Sequence, residues 1–129
     1  MSETVYVADS SAILASIFEE RGAEVFDLHL KAAMLGTVNL AEIVAKLQER
    51  GASEDAIIET LADMKLTIEP FDETQAILAG KLRTSTRIKG LSLGDRACVA
   101  LAMTAGATVV TTDKALAELD LPVPVMLIR

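Results

Sequence analysis

Short apolar runs alternate along this chain with longer stretches in which apolar residues recur every three or four positions, the pattern of buried strands separated by amphipathic helices. Residues 4 to 8, Thr-Val-Tyr-Val-Ala, read as a short buried strand, and Asp9-Ser10-Ser11 opens a helix with Ile13, Leu14, Ile17 and Phe18 as its stripe and Gly22 as its end. A second helix covers about 24 to 33, and 34 to 38 reads as a weak strand or an extended link. Asn39 then caps a helix with Leu40, Ile43, Val44 and Leu47 on one face, and Ser53-Glu54-Asp55 starts another carrying Ile57, Ile58, Leu61 and Met64. Residues 39 to 65 therefore form a helical hairpin.

A strand over 66 to 71 follows, and Asp72 with Gln75 has the spacing of a capping box for a helix reaching Thr84. After a loop over 88 to 94 come an Ala-rich helix over 94 to 105, a strand over 108 to 111, a short helix over 114 to 119 and a last strand over 125 to 128. Strands alternating with helices imply parallel pairing and right-handed crossovers, hence a three-layer α/β/α sandwich around a central, mostly parallel sheet. The 129 residues fit one domain spanning 1–129, burying roughly two-thirds of its unfolded surface.

In such sheets ligands bind beyond the carboxyl ends of the strands. Asp9 and Asp113 fall directly there. Glu42 lies one turn into a helix after an extended segment, and Asp95 follows a loop, so topology alone does not bring it to the same edge. Each acid also has a local explanation. Asp9 and Asp113 can cap helices, Asn39 with Glu42 and Ser92 with Asp95 have capping-box spacing, and Glu42 with Lys46 has that of an exposed i,i+4 pair. Asp9, however, sits between Val7-Ala8 and Ala12-Ile13, an inward context in which a carboxylate needs a cation or several donors. Asp95 shares a helix face with Cys98, Val99 and Ala102. Four converging acids repel one another unless a divalent cation neutralises them, so a metal site is expected.

Composition narrows the chemistry further. The single cysteine, Cys98, lies in an apolar run and reads as core, excluding an internal disulfide and Cys-based zinc sites. His29 is the only histidine and alternates with apolar neighbours as on a partly exposed helix. The net charge of −7 argues against a general basic footprint for nucleic acid, yet residues 80 to 96 carry Lys81, Arg83, Arg87, Lys89 and Arg96 against Asp95 alone. Arg87, Lys89 and Arg96 are therefore candidates for contacting phosphates. No apolar run approaches the ~18 residues of a membrane span, and the N-terminus lacks a basic start and cleavage site, so a cytoplasmic protein is expected.

The segments Val-Ala-Asp9-Ser-Ser-Ala, Asn39-Leu-Ala-Glu42-Ile, Leu-Ser-Leu-Gly-Asp95-Arg-Ala-Cys-Val-Ala and Thr111-Thr-Asp113-Lys-Ala-Leu resemble, in order and spacing, the acidic motifs of PIN-domain ribonucleases, and most of all the VapC toxins of toxin–antitoxin pairs. The resemblance implies a PIN-like fold, metal-binding and catalytic roles for Asp9, Glu42, Asp95 and Asp113, and polar support from Ser10 and Thr111. It implies Mg²⁺ or Mn²⁺ as cofactor, an RNA substrate cut by a metal-activated water, a homodimer, and a VapB-like antitoxin laying an apolar helix into a groove, here placed on the 39 to 65 hairpin. Where relatives often carry an extra acid and an aromatic, this chain has Ala115 and Leu116, which leaves one-metal and two-metal versions open. The alternatives are a degenerate PIN fold used as a binding module, a haloacid-dehalogenase-like phosphatase, and a phosphoacceptor receiver domain. The phosphatase would want a second acid where Ser11 stands, and the receiver an acidic pair after the first strand.

Overall fold

The computed structural model describes residues 4–30, 32–86 and 90–129, the side chains of Leu28, His29 and Thr86 excepted. Five strands, β1 (Tyr6–Ala8), β2 (Met34–Gly36), β3 (Thr67–Glu69), β4 (Thr108–Thr111) and β5 (Val125–Leu127), form one sheet in the order β3-β2-β1-β4-β5 with every pairing parallel. The chain steps from β1 outward to β3, then crosses back to lay β4 on the other side of β1. The carboxyl ends of β1 and β4 thus flank the point where strand order reverses, where open parallel sheets leave a crevice.

Successive strand residues face opposite sides of a pleated sheet, and that alternation builds two cores. Ala8 and Val110 face one side, where they pack with Ile13 of α1 (Ser10–Ile17), Phe26 of α2 (Ala23–His29), Ile43 and Leu47 of α3 (Thr37–Glu49) and Ile57 of α4 (Glu54–Met64). Val7 and Val109 face the other, against Leu82 of α5 (Glu73–Thr86), Cys98, Val99 and Leu101 of α6 (Leu93–Ala105) and Leu116 of α7 (Lys114–Ala117). Two helical layers therefore enclose the sheet, and the expected three-layer architecture holds. The consecutive pairs Val7-Ala8 and Val109-Val110 are fully buried, which explains why these strands read as continuous apolar runs rather than alternating ones. Burying each of these three valines stabilises the fold by about 1.5–3 kcal/mol before entropic costs.

Several boundaries differ from the sequence reading. The first helix ends at Ile17, and Gly22, at φ 101°, is the N-cap of α2 rather than the stop of α1. A Cβ there would press into the Ile128 carbonyl, so both its backbone and its closeness to the chain's end call for glycine. Helix α2 stops at His29 instead of 33, with Ala32 in a left-handed conformation at φ 67° before β2 begins. Helix α3 starts at Thr37, two residues ahead of Asn39, because extended Gly36 takes the cap position without a side-chain hydrogen bond. Asn39 is therefore inside the first turn and not its cap.

The Asp72–Gln75 pattern is half a box. Asp72 Oδ1 accepts the Gln75 amide at 2.9 Å, while Gln75 Nε2 donates to the Pro70 carbonyl at 3.0 Å. The helix it starts runs on to Thr86, and the strand before it is confined to Thr67–Glu69. Ser92 and Asp95 make a complete capping box on α6, whose far end is closed by left-handed Gly106. Cys98 is fully buried, as its apolar context implies.

Candidate active site

Asp9 is the first residue after β1 and the N-cap of α1, and only 4% of its surface is exposed. Its Oδ1 accepts the Ala12 amide at 3.0 Å and the Ser11 hydroxyl at 2.7 Å, and its Oδ2 accepts the Thr111 hydroxyl at 2.5 Å. Capping and burial coexist here: the carboxylate closes a helix while forming the floor of a cavity. Desolvation raises its pKa above the usual carboxylate range, opposed by the hydrogen bonds from Thr111, Ser11 and Ala12 and reinforced by the nearby charge of Asp95.

Thr111, the last residue of β4, is fully buried and joins the two strand ends. While its Oγ1 donates to Asp9, it accepts the Asp113 amide at 2.9 Å. Ser11 makes a second tie, accepting the Thr112 amide at 3.0 Å while it donates to Asp9. Asp113 caps α7 through the Ala115 amide at 2.9 Å and stays exposed. The supporting role of Ser11 goes beyond the sequence reading, which names Ser10 and Thr111 as helpers. Two hydroxyls in a row at a helix start are ordinary capping chemistry, and nothing local separates the one that braces β4 from the one that does not.

Ser10 serves the other wall. Its hydroxyl donates to Glu42 Oε1 at 2.5 Å, and Asn39 Nδ2 donates to the same carboxylate oxygen at 3.0 Å. Glu42 therefore uses neither the capping box nor the Lys46 pair that its spacing suggests. Lys46 instead reaches Glu49, 3.5 Å away. Asp95 does complete its local box, with Oδ2 accepting the Ser92 amide at 3.2 Å.

These elements bring Asp9, Glu42, Asp95 and Asp113 to one cavity of about 290 Å³, lined also by Ser10, Ser11, Leu14 and Lys46. Asp95 reaches it although topology alone does not place it there. A larger cavity of about 590 Å³ between Phe26 and Met64 is lined by the acids Asp27 and Asp63 and by Ala32 and Lys65, which precede the amino ends of β2 and β3, and includes none of the acids at the carboxyl ends. Chemistry, not size, singles out the smaller one.

Among the described residues no three acid, His or Cys side chains stand close enough to enclose an ion as placed. Each of the four carboxylates is held by its own donors. The donor set nevertheless fits Mg²⁺ or Mn²⁺, which take oxygen ligands, keep several waters and need only one or two carboxylates directly. Cys98, close enough to feel Asp9, Asp95 and Glu42, is held far above its ordinary pKa, chiefly by burial, and so contributes no thiolate.

The cationic side differs from expectation. Arg87 and Lys89 lie outside the described residues. Arg96 turns away from the acids, its Nη1 donating to the Ala79 carbonyl of α5 at 2.9 Å and its Nε buried. Among the described residues, the basic side chain that lines the acid cavity is Lys46, which the sequence presents only as a helix-surface partner.

The PIN domain family model matches residues 6–121. No curated protein sequence matches the chain. Among solved structures, a chain of DNA-bound VapBC from Salmonella typhimurium superposes with a TM-score of 0.74 at 19% identity, covering 96% of this chain and 98% of that one. VapBC2 from Rickettsia felis, bound to a promoter DNA fragment, gives 0.74 at 20%, covering 95% and 98%. VapC20 of Mycobacterium tuberculosis, a toxin that cleaves the sarcin-ricin loop, gives 0.73 at 13%, covering 90% and 95%. At these identities the likeness is one of fold.

Proposed function

This chain belongs to the PIN-domain family, and from that premise we propose that it is a Mg²⁺- or Mn²⁺-dependent endoribonuclease, the toxin of a VapBC-like toxin–antitoxin pair. The observation that carries the reading is the convergence of Asp9, Glu42, Asp95 and Asp113, from four separate elements, on one cavity at the strand-order reversal. Family membership leaves no ground for the phosphatase and receiver readings.

Asp9, Asp95 and Asp113 would hold the ion, and Glu42 either the ion or its water. A divalent ion held there would lower the pKa of a water for attack on phosphorus and offset charge on the leaving oxygen. Thr111 and Ser11 fix the Asp9 carboxylate, Ser10 and Asn39 fix Glu42, and Lys46 meets the phosphate chain at the rim. The absence of an acid at 115 and of an aromatic at 116 favours a single tightly held ion, since Leu116 is fully buried and Ala115 adds no ligand.

The antitoxin reading is supported by an apolar groove of about 310 Å³ on the α3–α4 hairpin and the sheet edge, lined by Leu40, Ile58, Leu61, Leu66 and Ile68. Ile58 is 60% and Ile68 44% exposed, which suits an amphipathic helix laid across them. We place the protein in the cytoplasm as a homodimer. Among the described residues no helix is long and apolar enough to cross a membrane.

The test is cleavage of RNA by the purified protein with Mn²⁺ or Mg²⁺. Loss of cutting with EDTA and in Asp9→Asn is expected. Cutting that survives both would sink the metal mechanism, and no cutting by the folded wild-type protein would favour a catalytically silent binding module.

A further inference from the structure

Besides the Ser10 hydroxyl, two residues with no acid or hydroxyl of their own, Asn39 and Gly94, make the seat of the Glu42 carboxylate. Asn39 is 2% exposed, and its Nδ2 donates to Glu42 Oε1 at 3.0 Å, to Ser10 Oγ at 3.2 Å and to the Gly94 carbonyl at 3.2 Å. One amide nitrogen thus touches α1, α3 and α6 together. With three acceptors around that nitrogen, the amide's orientation is determined, and its Oδ1 is left buried without a partner. A native fold keeps such an orphan only where the other bonds of the group outweigh it.

Gly94 supplies the space. A Cβ built on it would meet the Glu42 carboxylate at a separation that non-bonded atoms do not reach, and its nearest neighbours are all atoms of that carboxylate. Glu42 therefore lies directly on the α6 backbone, one residue before Asp95. The carboxylate sits against a helix N-terminus, where negative charge is favoured, and beside another acid, where it is not.

We propose that Asn39 is a positioning residue which, with Gly94 as the floor, seats the Glu42 carboxylate beside Asp95 so that the cavity presents a preset oxygen ligand to a divalent ion. The inference rests on the metal-dependent reading of the site. Its chemistry is that of an outer-shell partner fixing a ligand, whose loss typically weakens metal binding by about ten- to hundredfold.

The test is Mn²⁺ affinity, measured by electron paramagnetic resonance or calorimetry, on wild type, Asn39→Ala, Gly94→Ala, Glu42→Gln and the two double variants with Glu42→Gln. Each seat variant should bind Mn²⁺ about ten- to hundredfold more weakly, and in the Glu42→Gln background neither should cost anything further. A merely structural Asn39 would weaken binding equally in both backgrounds. Gly94→Ala deletes no hydrogen-bonding group and puts a better helix former into α6, so it carries the test should Asn39→Ala not fold. Unchanged affinity in Gly94→Ala and any folded Asn39→Ala, or losses that add to Glu42→Gln, would overturn the seat alone. No Mn²⁺ binding by folded wild-type protein would overturn the ribonuclease reading and the purpose given to the seat with it. In that case the Asn39 side-chain amide signals in ¹⁵N spectra decide the contact itself: they should shift in Glu42→Gln, and their failure to move would remove it.

Discussion

The Thr111 hydroxyl donates to Asp9 Oδ2 at 2.5 Å across 102 residues of sequence, so the end of β4 braces a buried carboxylate at the end of β1. Thr111→Val keeps the shape and removes the donor, leaving Asp9 one hydrogen bond short in a dry position. The expected cost is about 1–3 kcal/mol of stability. RNA cleavage should fall about ten- to hundredfold, as for loss of an outer-shell partner. Denaturant unfolding and single-turnover cleavage of the same preparation check both; a variant as stable and active as wild type would mean that Asp9 is held by Ser11 and Ala12 alone.

Asp9→Asn should separate stability from activity. The Asp9 carboxyl has a folded pKa raised above its unfolded value, mainly by burial, so the folded state binds its proton more tightly than the unfolded chain does. The penalty is fully present above the folded pKa. It shrinks as pH falls through that value and is gone below the unfolded one. Asp9→Asn, which can keep the Ala12 and Ser11 bonds, should therefore melt higher than wild type at neutral pH, by a few degrees for each ~1 kcal/mol relieved, and the gap should close on acidification.

Mn²⁺ should reverse that ranking. An ion that binds only the folded state stabilises by about 2.7 kcal/mol at a hundredfold excess over its dissociation constant. Melting of wild type should rise with Mn²⁺ and that of Asp9→Asn much less. Equal shifts in the two proteins would place the ion elsewhere.

Lys46→Ala tests the rim. Lys46 lines the acid cavity and its ion pair with Glu49 is exposed on both sides, so removing it should cost little stability. The Michaelis constant for RNA should rise severalfold with a smaller change in turnover. The salt dependence of binding should flatten by about 0.7, the slope that neutralising a single phosphate contributes on a single strand. A turnover defect alone would assign Lys46 to the chemical step instead.

Ile58→Asp places a charge on the exposed lip of the hairpin groove. Surface changes of this kind usually alter stability by under ~0.5 kcal/mol. Co-expressed antitoxin should then fail to relieve growth arrest, and its complex should be lost on gel filtration. Undiminished neutralisation would move the antitoxin to another face.

Much of this is legible in the residue pattern, and the misses have physical causes. The strand-end acids Asp9 and Asp113 are placed by apolar runs that stop at them, and apolar runs and periodicity locate four strands and the hairpin, while β2 reads only as a weak strand or an extended link. Asn39 and Glu42 mislead because a three-residue spacing serves a capping box and an inward amide holding a neighbouring carboxylate equally well. The helix start, set by Gly36 three residues before Asn39, decides between them. Asp95 shows the opposite: its capping box is real, and so is its place in the cavity. Arg96 reads as a free cation in the sequence because nothing local reveals that α5 offers it a carbonyl. The order of strands in the sheet, and with it the reversal between β1 and β4, depends on pairings between distant segments that no window of sequence contains.

That pairing also fixes when the cavity can exist. Strand β1 leaves the ribosome about a hundred residues ahead of its neighbour β4 and of Thr111 and Asp113. Until then Asp9 lacks its brace and β1 has an open edge. Closing so long a loop is a late, slow step in folding. Under the ribonuclease reading, a nascent chain cannot cut RNA before β4 has emerged, because until then the two strands that hold the acids in register have not met.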